Sequence, residues 1–164
     1  KGEDPFILAL DEIEDPHNLG ALLRTADAAG VHGVVIPKRR SAGLTPTVGR
    51  ASAGALAYVP VARVSNLVQT LKYFQEQGCW VAGADTGGQD IYRTDLTGPR
   101  VIVIGGEDKG LGRLVRETCD EIVSLPMYGK MTSLNASVAG SLIMYEVRRQ
   151  RNQGLYDTTC QSLP

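Results

Sequence analysis

Two loops in this chain carry residue types that could do chemistry. The first, GGEDKGLG at residues 105–112, follows a β-branched run and precedes a short helical pattern. It is neither GxGxxG nor GxxxxGK[ST]: the glycines fall at 105, 106, 110 and 112, and Lys109 precedes Gly110 with no Ser or Thr behind it. What remains is a turn whose missing side chains let backbone come close to a ligand, with one carboxylate, Glu107, at its centre. A tight left-handed turn carrying a solvated Glu accounts for it equally well. The second loop, Pro126 to Ser133, exposes backbone groups and small hydroxyls ahead of the run LNASVAGSLIMYEV. Ser133 reads as the N-cap of a following helix, because its hydroxyl can take a free N–H of the first turn. Ala136, Ser137, Ala139, Gly140 and Ser141 load that helix with small residues. Gly140 costs it roughly 1 kcal/mol relative to Ala. Another backbone or a ligand therefore packs close; the plain alternative is a core helix with a polar cap. Two polar residues stand out earlier. Asn18 precedes an apolar face as an N-cap would, and Arg24 lies off that face, free to point elsewhere.

These groups need elements to hold them. FILAL (6–10), bounded by Pro5 and Asp11, has the continuous apolar pattern of a strand buried on both faces. Leu19, Leu22, Leu23 and Ala26 then share one helical face, and Gly30 stops it as a C-cap glycine. Val31 to Pro37 is a second strand, followed by a basic loop and a small-residue helix over Val48 to Leu56. Tyr58 to Val64 is an edge-like strand with Pro60 near its start, and Ser65 caps a helix, Asn66 to Gln77, stopped by Gly78. Trp80 to Ala84 is a fourth strand, with a polar loop behind it. Val101 to Ile104 is the purest β-branched run. A helix over Arg113 to Thr118, the strand Glu121 to Leu125 and the helix Leu134 to Val147 complete the pattern, and residues 152–164 show no period and read as a loose tail. Strands alternating with helices predict an α/β fold with a mostly parallel sheet and helices on both faces. Ligands of such sheets bind where strands hand over to loops, here 84–88, 105–110 and 126–133.

Composition narrows the function classes. With 164 residues and 43% hydrophobic content, one globular domain is expected. No apolar run approaches the roughly 18 residues of a membrane span, and no signal peptide opens the chain. Cys79, Cys119 and Cys160 are odd in number and far apart, fitting reduced thiols of a cytoplasmic protein, and His17 and His32 share no ligand spacing with them, so no metal site is expected. A net charge of −1 argues against a surface that coats nucleic acid. Charge is still local, in Lys38-Arg39-Arg40 and in Arg148, Arg149 and Arg151, although a solvated face explains such trios as well.

Taken together, the stretches gain specificity. DPHNLGALLRTADAAG, with Asn six residues before Arg, is similar to the first motif of the SpoU/TrmH branch of the SPOUT RNA methyltransferases. IVIGGEDKG is similar to the second motif and LPMYGKMTSLNASVAG to the third. They occur in family order from Leu8 to Arg149, nearly the whole chain. VHGVVIPKRRSAGL further resembles the ribosomal members, the bacterial 23S rRNA guanosine-2′-O-methyltransferases, more than the tRNA members.

The resemblance implies a C-terminal trefoil knot at the cofactor site, which topological rules alone would count against. It implies a homodimer with the active site at the interface, and a catalytic domain over 1–151 whose small N-terminal RNA-binding domain is missing here. It implies methyl transfer from S-adenosylmethionine to a ribose 2′-hydroxyl of RNA, with no part for DNA or membrane. By motif matching, Gly105, Leu125, Met127 and Leu134 would hold the cofactor, so that Gly105→Val should block it and spare the fold. Arg24 would face the ribose or its 3′ phosphate, supported by Asn18, Ser133 and Asn135. Glu107 would bind the guanine edge or relay the proton. A tRNA substrate and a nucleotide- or RNA-binding module without transfer are the competing readings. The missing GxGxxG disfavours a conventional NAD enzyme.

Overall fold

The computed structural model describes residues 2–106 and 109–161, with side chains through Gln153. Six strands form one sheet: β1 (Phe6–Asp11), β2 (Gly33–Pro37), β3 (Val61–Val64), β4 (Trp80–Asp90), β5 (Arg100–Gly105) and β6 (Glu121–Ser124). Their order is β3-β2-β1-β5-β4-β6, and every pairing is parallel. The helices are α1 (Pro16–Ala28), α2 (Pro46–Ala51), α3 (Leu67–Glu76), α4 (Arg113–Thr118) and α5 (Ala136–Gln161).

Alternation along the central strands sorts the core into two layers. Leu8 and Leu10 of β1, with Ile102 and Ile104 of β5, pack with Leu19, Leu22 and Leu23 of α1 and Ile143 and Val147 of α5. Ala9, Val101 and Val103 face the other way, against Leu67 and Leu71 of α3 and Val115 of α4. Helices therefore cover both faces, which is why the central strands are apolar without a polar alternate.

Several boundaries differ from the expectation. The segment read as one helix over Val48 to Leu56 is α2 plus a 3-10 turn, Ala55–Ala57, because Ala53 and Gly54 take left-handed φ values of 52° and 86°. β4 runs six residues past Ala84, into the expected polar loop, and a register shift lets it keep pairing with β6. α5 continues through 152–161, the segment read as a loose tail. Extending a helix needs only one further backbone bond per residue, not an apolar period. Its small residues have a packing reason: a Cβ on Gly140 would lie 2.5 Å from Leu22 Cδ2, so α1 is the close neighbour at that turn.

Candidate functional site

A parallel sheet ends all its strands on one side, and there this one carries two adjoining hollows. The larger, about 400 Å³, lies over the ends of β4, β5 and β6. Ile104, Val123 and Ile143 give it an apolar floor, and the loop from Leu125 to Leu134 walls it. That volume suits a small organic ligand, whose sites span roughly 300–1,000 Å³. The smaller, about 270 Å³, lies over the end of β1, beside Glu12 to Asp15 and Asn18. Gly106, Lys109, Gly110 and Ala136 line both, so the glycine-rich turn is the partition.

The turn is pinned at three points. Gly105 sits in register with Asp11 across β1 and β5. The Gly110 N–H donates to the Gly106 carbonyl at 2.9 Å. The Gly112 N–H donates to the Asp11 carboxylate at 2.8 Å. Burial pushes the Asp11 carboxyl up from its ordinary value; the Gly112 N–H opposes that rise and the Glu12 charge adds to it. Chain therefore meets chain inside the turn. A Cβ on Gly105 would run into the Gly110 carbonyl, and one on Gly110 would stand 2.7 Å from Asp85 Oδ1. This corrects the expectation for Gly105→Val: the first collision is with the turn's own backbone, so the fold would not be spared. Glu107 lies outside the described residues.

The wall opposite is built differently. Among the described residues, no hydrogen bond involves any group of residues 126–134. Backbone donors and acceptors ordinarily find partners. Here a stretch of them lines a hollow with none, beside an apolar floor. Such a donor and acceptor set fits a nucleoside with a polar tail: flat apolar faces for a base and open amides for its edge. Gly105, Leu125, Met127, Ser133 and Leu134 all line this hollow, brought together from two loops.

Asn18 and Asn135 are also brought together. Asp15, not Asn18, caps α1, accepting from the His17 and Asn18 N–H groups, with Pro16 at the first helical position. Asn18 is thereby freed, and its Oδ1 accepts from Asn135 Nδ2 at 3.1 Å across 117 positions. Asn135, not Ser133, caps α5, its Oδ1 accepting from the Ser137 and Val138 N–H groups at 3.0 and 3.2 Å. One amide thus caps a helix and ties two motifs together. Lower in the same seam the Ser141 hydroxyl lies 2.6 Å from the Ser137 carbonyl, to which it donates, and 3.0 Å from the Thr25 hydroxyl. Arg24 stands apart. It is exposed on the outer side of α1, lines neither hollow and makes no hydrogen bond or ion pair among the described residues.

Sequence reasoning passed over Asp11, Asp85 and Lys109. Asp85 pairs with Arg116 at 2.7 Å, and its carbonyl accepts from the Ser124 hydroxyl. Only its position at a strand end pointed to it.

The model of the SpoU rRNA Methylase family matches residues 5–145. YacO of Bacillus subtilis, assigned to the TrmH family of tRNA/rRNA methyltransferases, is 59% identical over 153 residues, 93% of this chain and 61% of that protein. RlmB of Ralstonia nicotianae, a 23S rRNA (guanosine-2′-O-)-methyltransferase, is 51% identical over 149 residues, 90% and 60% of the two chains. Among solved structures, the SpoU methyltransferase AviRb of Streptomyces viridochromogenes with AdoMet superposes with a TM-score of 0.86 at 33% identity, covering 94% of this chain and 63% of that one. The A. aeolicus TrmH/SpoU tRNA modifying enzyme gives 0.82 at 30%, covering 96% and 80%. The chain thus spans about three fifths of the length of the curated relatives it matches.

Proposed function

This chain belongs to the SpoU rRNA methylase family, and from that premise we propose that it methylates a ribose 2′-hydroxyl of RNA, a guanosine of 23S rRNA, with S-adenosylmethionine as donor. One observation carries the reading. Gly105, Leu125, Met127 and Leu134, drawn from two loops, wall a single hollow, and residues 126–134 beside it make no hydrogen bond among the described residues. Identity of 51% to the Ralstonia 23S rRNA enzyme supports the ribosomal substrate and with it work in the cytoplasm.

S-adenosylmethionine, when bound, supplies a methyl group already activated by its sulfonium. The chain's own task is then to align the hydroxyl and help remove its proton, and alignment can account for much of the rate. The smaller hollow is where the target nucleoside would sit. Asn18 and Asn135, locked to each other, hold its wall in place. Ser133 offers a hydroxyl from the wall of the larger hollow. Arg24 acts as a fixed cation, orienting phosphate and stabilising the developing alkoxide, since a guanidinium keeps its proton and is a poor base. Glu107 takes the guanine edge or relays the proton.

Arg24 faces solvent in a single chain, so this mechanism requires a second copy that places the site at an interface. Its support is an exposed apolar stripe on α5: Val138, Leu142 and Tyr145 are 47%, 42% and 51% exposed, with Leu134 just ahead of the helix at 37%. The trefoil knot belongs to the same proposal, and its support is that Gly105, Gly106, Lys109 and Gly110 wall one hollow together with Leu125, Met127 and Thr132 to Leu134. Single-turnover transfer of labelled methyl to a 23S rRNA transcript, followed by mapping of ribose methylation, tests the activity. Label absent from every ribose would overturn it. S-adenosylhomocysteine should raise the melting temperature by mass action where NAD does not.

A further inference from the structure

The two basic clusters of this chain are put to opposite uses. Arg148, Arg149 and Arg151 sit by the N-terminal ends of β1 and β5, and their charges are engaged within the chain. Arg148 pairs with Glu3 at 2.7 Å and Arg149 with Glu146 at 2.7 Å. Arg151 donates to the carbonyls of Asp4, Pro5 and Gly98 and lies 5.1 Å from the Phe6 ring centroid. Lys38, Arg39 and Arg40 directly follow β2, so they stand at the other end of the sheet, where the hollows open. Their loop is fastened to the wall of the smaller hollow: the Ala42 N–H donates to the Ile13 carbonyl at 2.8 Å, and Arg40 reaches Glu12 at 3.4 Å. Lys38 and Arg39 are exposed and pair with no carboxylate among the described residues. Arg63 of the neighbouring strand donates to the Lys38 carbonyl at 3.3 Å and also has no carboxylate partner among them. Acidic groups are close by: Glu12 is taken by Arg40, the Asp15 carboxylate caps α1, and Glu14 is exposed on the lining of the same hollow.

A chain of net charge −1 has little overall pull on a polyanion, so attraction must come from a local patch. We propose that Lys38, Arg39 and Arg63 form a rim that contacts the phosphates of the RNA strand flanking the nucleotide in the smaller hollow. This rests on the RNA methyltransferase reading given above.

The test uses the full chain and a fluorescein-labelled RNA hairpin with an unpaired guanosine in its loop, followed by anisotropy across a salt series. Each phosphate contact contributes about 0.7 to the slope of log K against log salt for single strands. Lys38→Gln/Arg39→Gln should lower the slope by about 1.4 on that basis, with S-adenosylhomocysteine affinity unchanged. Lys72→Gln, an exposed cation on α3, should leave the slope as it is. An unchanged slope in the double variant, or none in the unaltered chain, would overturn the rim. So would weakened binding of labelled polyglutamate with RNA binding intact, which would give the rim to an acidic protein. The two readings fail separately: methyl transfer with an insensitive slope removes only the rim, and a sensitive slope without methyl transfer removes only the activity.

Discussion

At the scale of single residues the candidate site sets Asn18 and Asn135, which hold one another, against Arg24. Arg24 makes no hydrogen bond or ion pair among the described residues and faces solvent, so removing it should leave stability within about 0.5 kcal/mol. Its proposed work on the ribose oxyanion or phosphate then has a clean readout. Arg24→Ala should lose turnover in single-turnover methyl transfer while cofactor affinity barely moves. Arg24→Lys should recover little, since an ammonium lacks the planar two-pronged contact. A rate equal to the unaltered protein's in Arg24→Ala would take the residue out of the mechanism. Asn135 is the opposite case, because it carries a cap through Oδ1 and a tie to Asn18 through Nδ2. Asn135→Ala should cost about 1 kcal/mol through the cap, seen as a melting shift of about 2–4 °C. Asn135→Asp keeps an oxygen for the cap and lacks the donor, so it should melt like the parent and still lose methyl transfer. Equal losses of stability in both variants would mean the tie has no separate role. Cap preferences alone could not have separated these duties. Ser133 and Asn135 are both good caps two positions apart, as are Asp15 and Asn18 at three, and the choice falls to backbone geometry that residue type does not encode.

Elements were legible where a run of like residues leaves one solution. The β-branched run Val101 to Ile104 and the apolar FILAL are central strands because only a sheet covered on both faces buries such runs. The Gly30 stop of α1 was readable for the same local reason, its φ being +75°. What could not be read was set by partners far away in sequence. β4 extends beyond Ala84 because β6 is there to pair with it. Gly112, at the close of the glycine-rich loop, is held by Asp11, about a hundred positions earlier. That contact has a pH signature. Burial raises the Asp11 carboxyl above its ordinary value of 3.8, so in the unfolded chain it ionises first as pH rises. Its contribution to stability is therefore full below that value and is lost as pH climbs through the higher folded pKa. Asp11→Asn keeps an oxygen for the Gly112 N–H and has no titration. Thermal melts of the two proteins should show the parent losing stability relative to Asp11→Asn as pH rises above 3.8, then running parallel. A difference that grows in the opposite direction would show that the Gly112 bond, rather than burial, governs this carboxyl.

For the whole molecule, the question is what one chain leaves unfinished. Its sheet is covered on both faces and its two core layers are closed, yet α5 shows solvent an apolar stripe through Val138, Leu142 and Tyr145. Those residues recur at spacings of four and three, so they stand on one side of the helix. Ile143, Met144 and Val147, which face the core, occupy the other. The small-residue seam that the sequence marked on this helix is used up against α1, through Gly140 on Leu22 and Ser141 beside Thr25. The stripe is therefore surplus to the single chain. Next to it, Met127, Tyr128 and Met131 of the cavity loop are exposed as well, so a partner seated on α5 would also cover the loop that walls the larger hollow. Dimerisation and site completion would then be one event, which also gives Arg24 a route to a reacting group. Sedimentation equilibrium at micromolar concentration should give twice the 17.6 kDa of the chain. Leu142→Glu should shift that mass towards 17.6 kDa with little loss of melting temperature, because the residue is already 42% exposed and its core neighbours stay in place. Methyl transfer should fall with the dimer fraction and recover as protein concentration is raised. A parent chain that sediments at the single-chain mass, or a monomeric variant that methylates at the parent rate, would detach the apolar stripe from the chemistry.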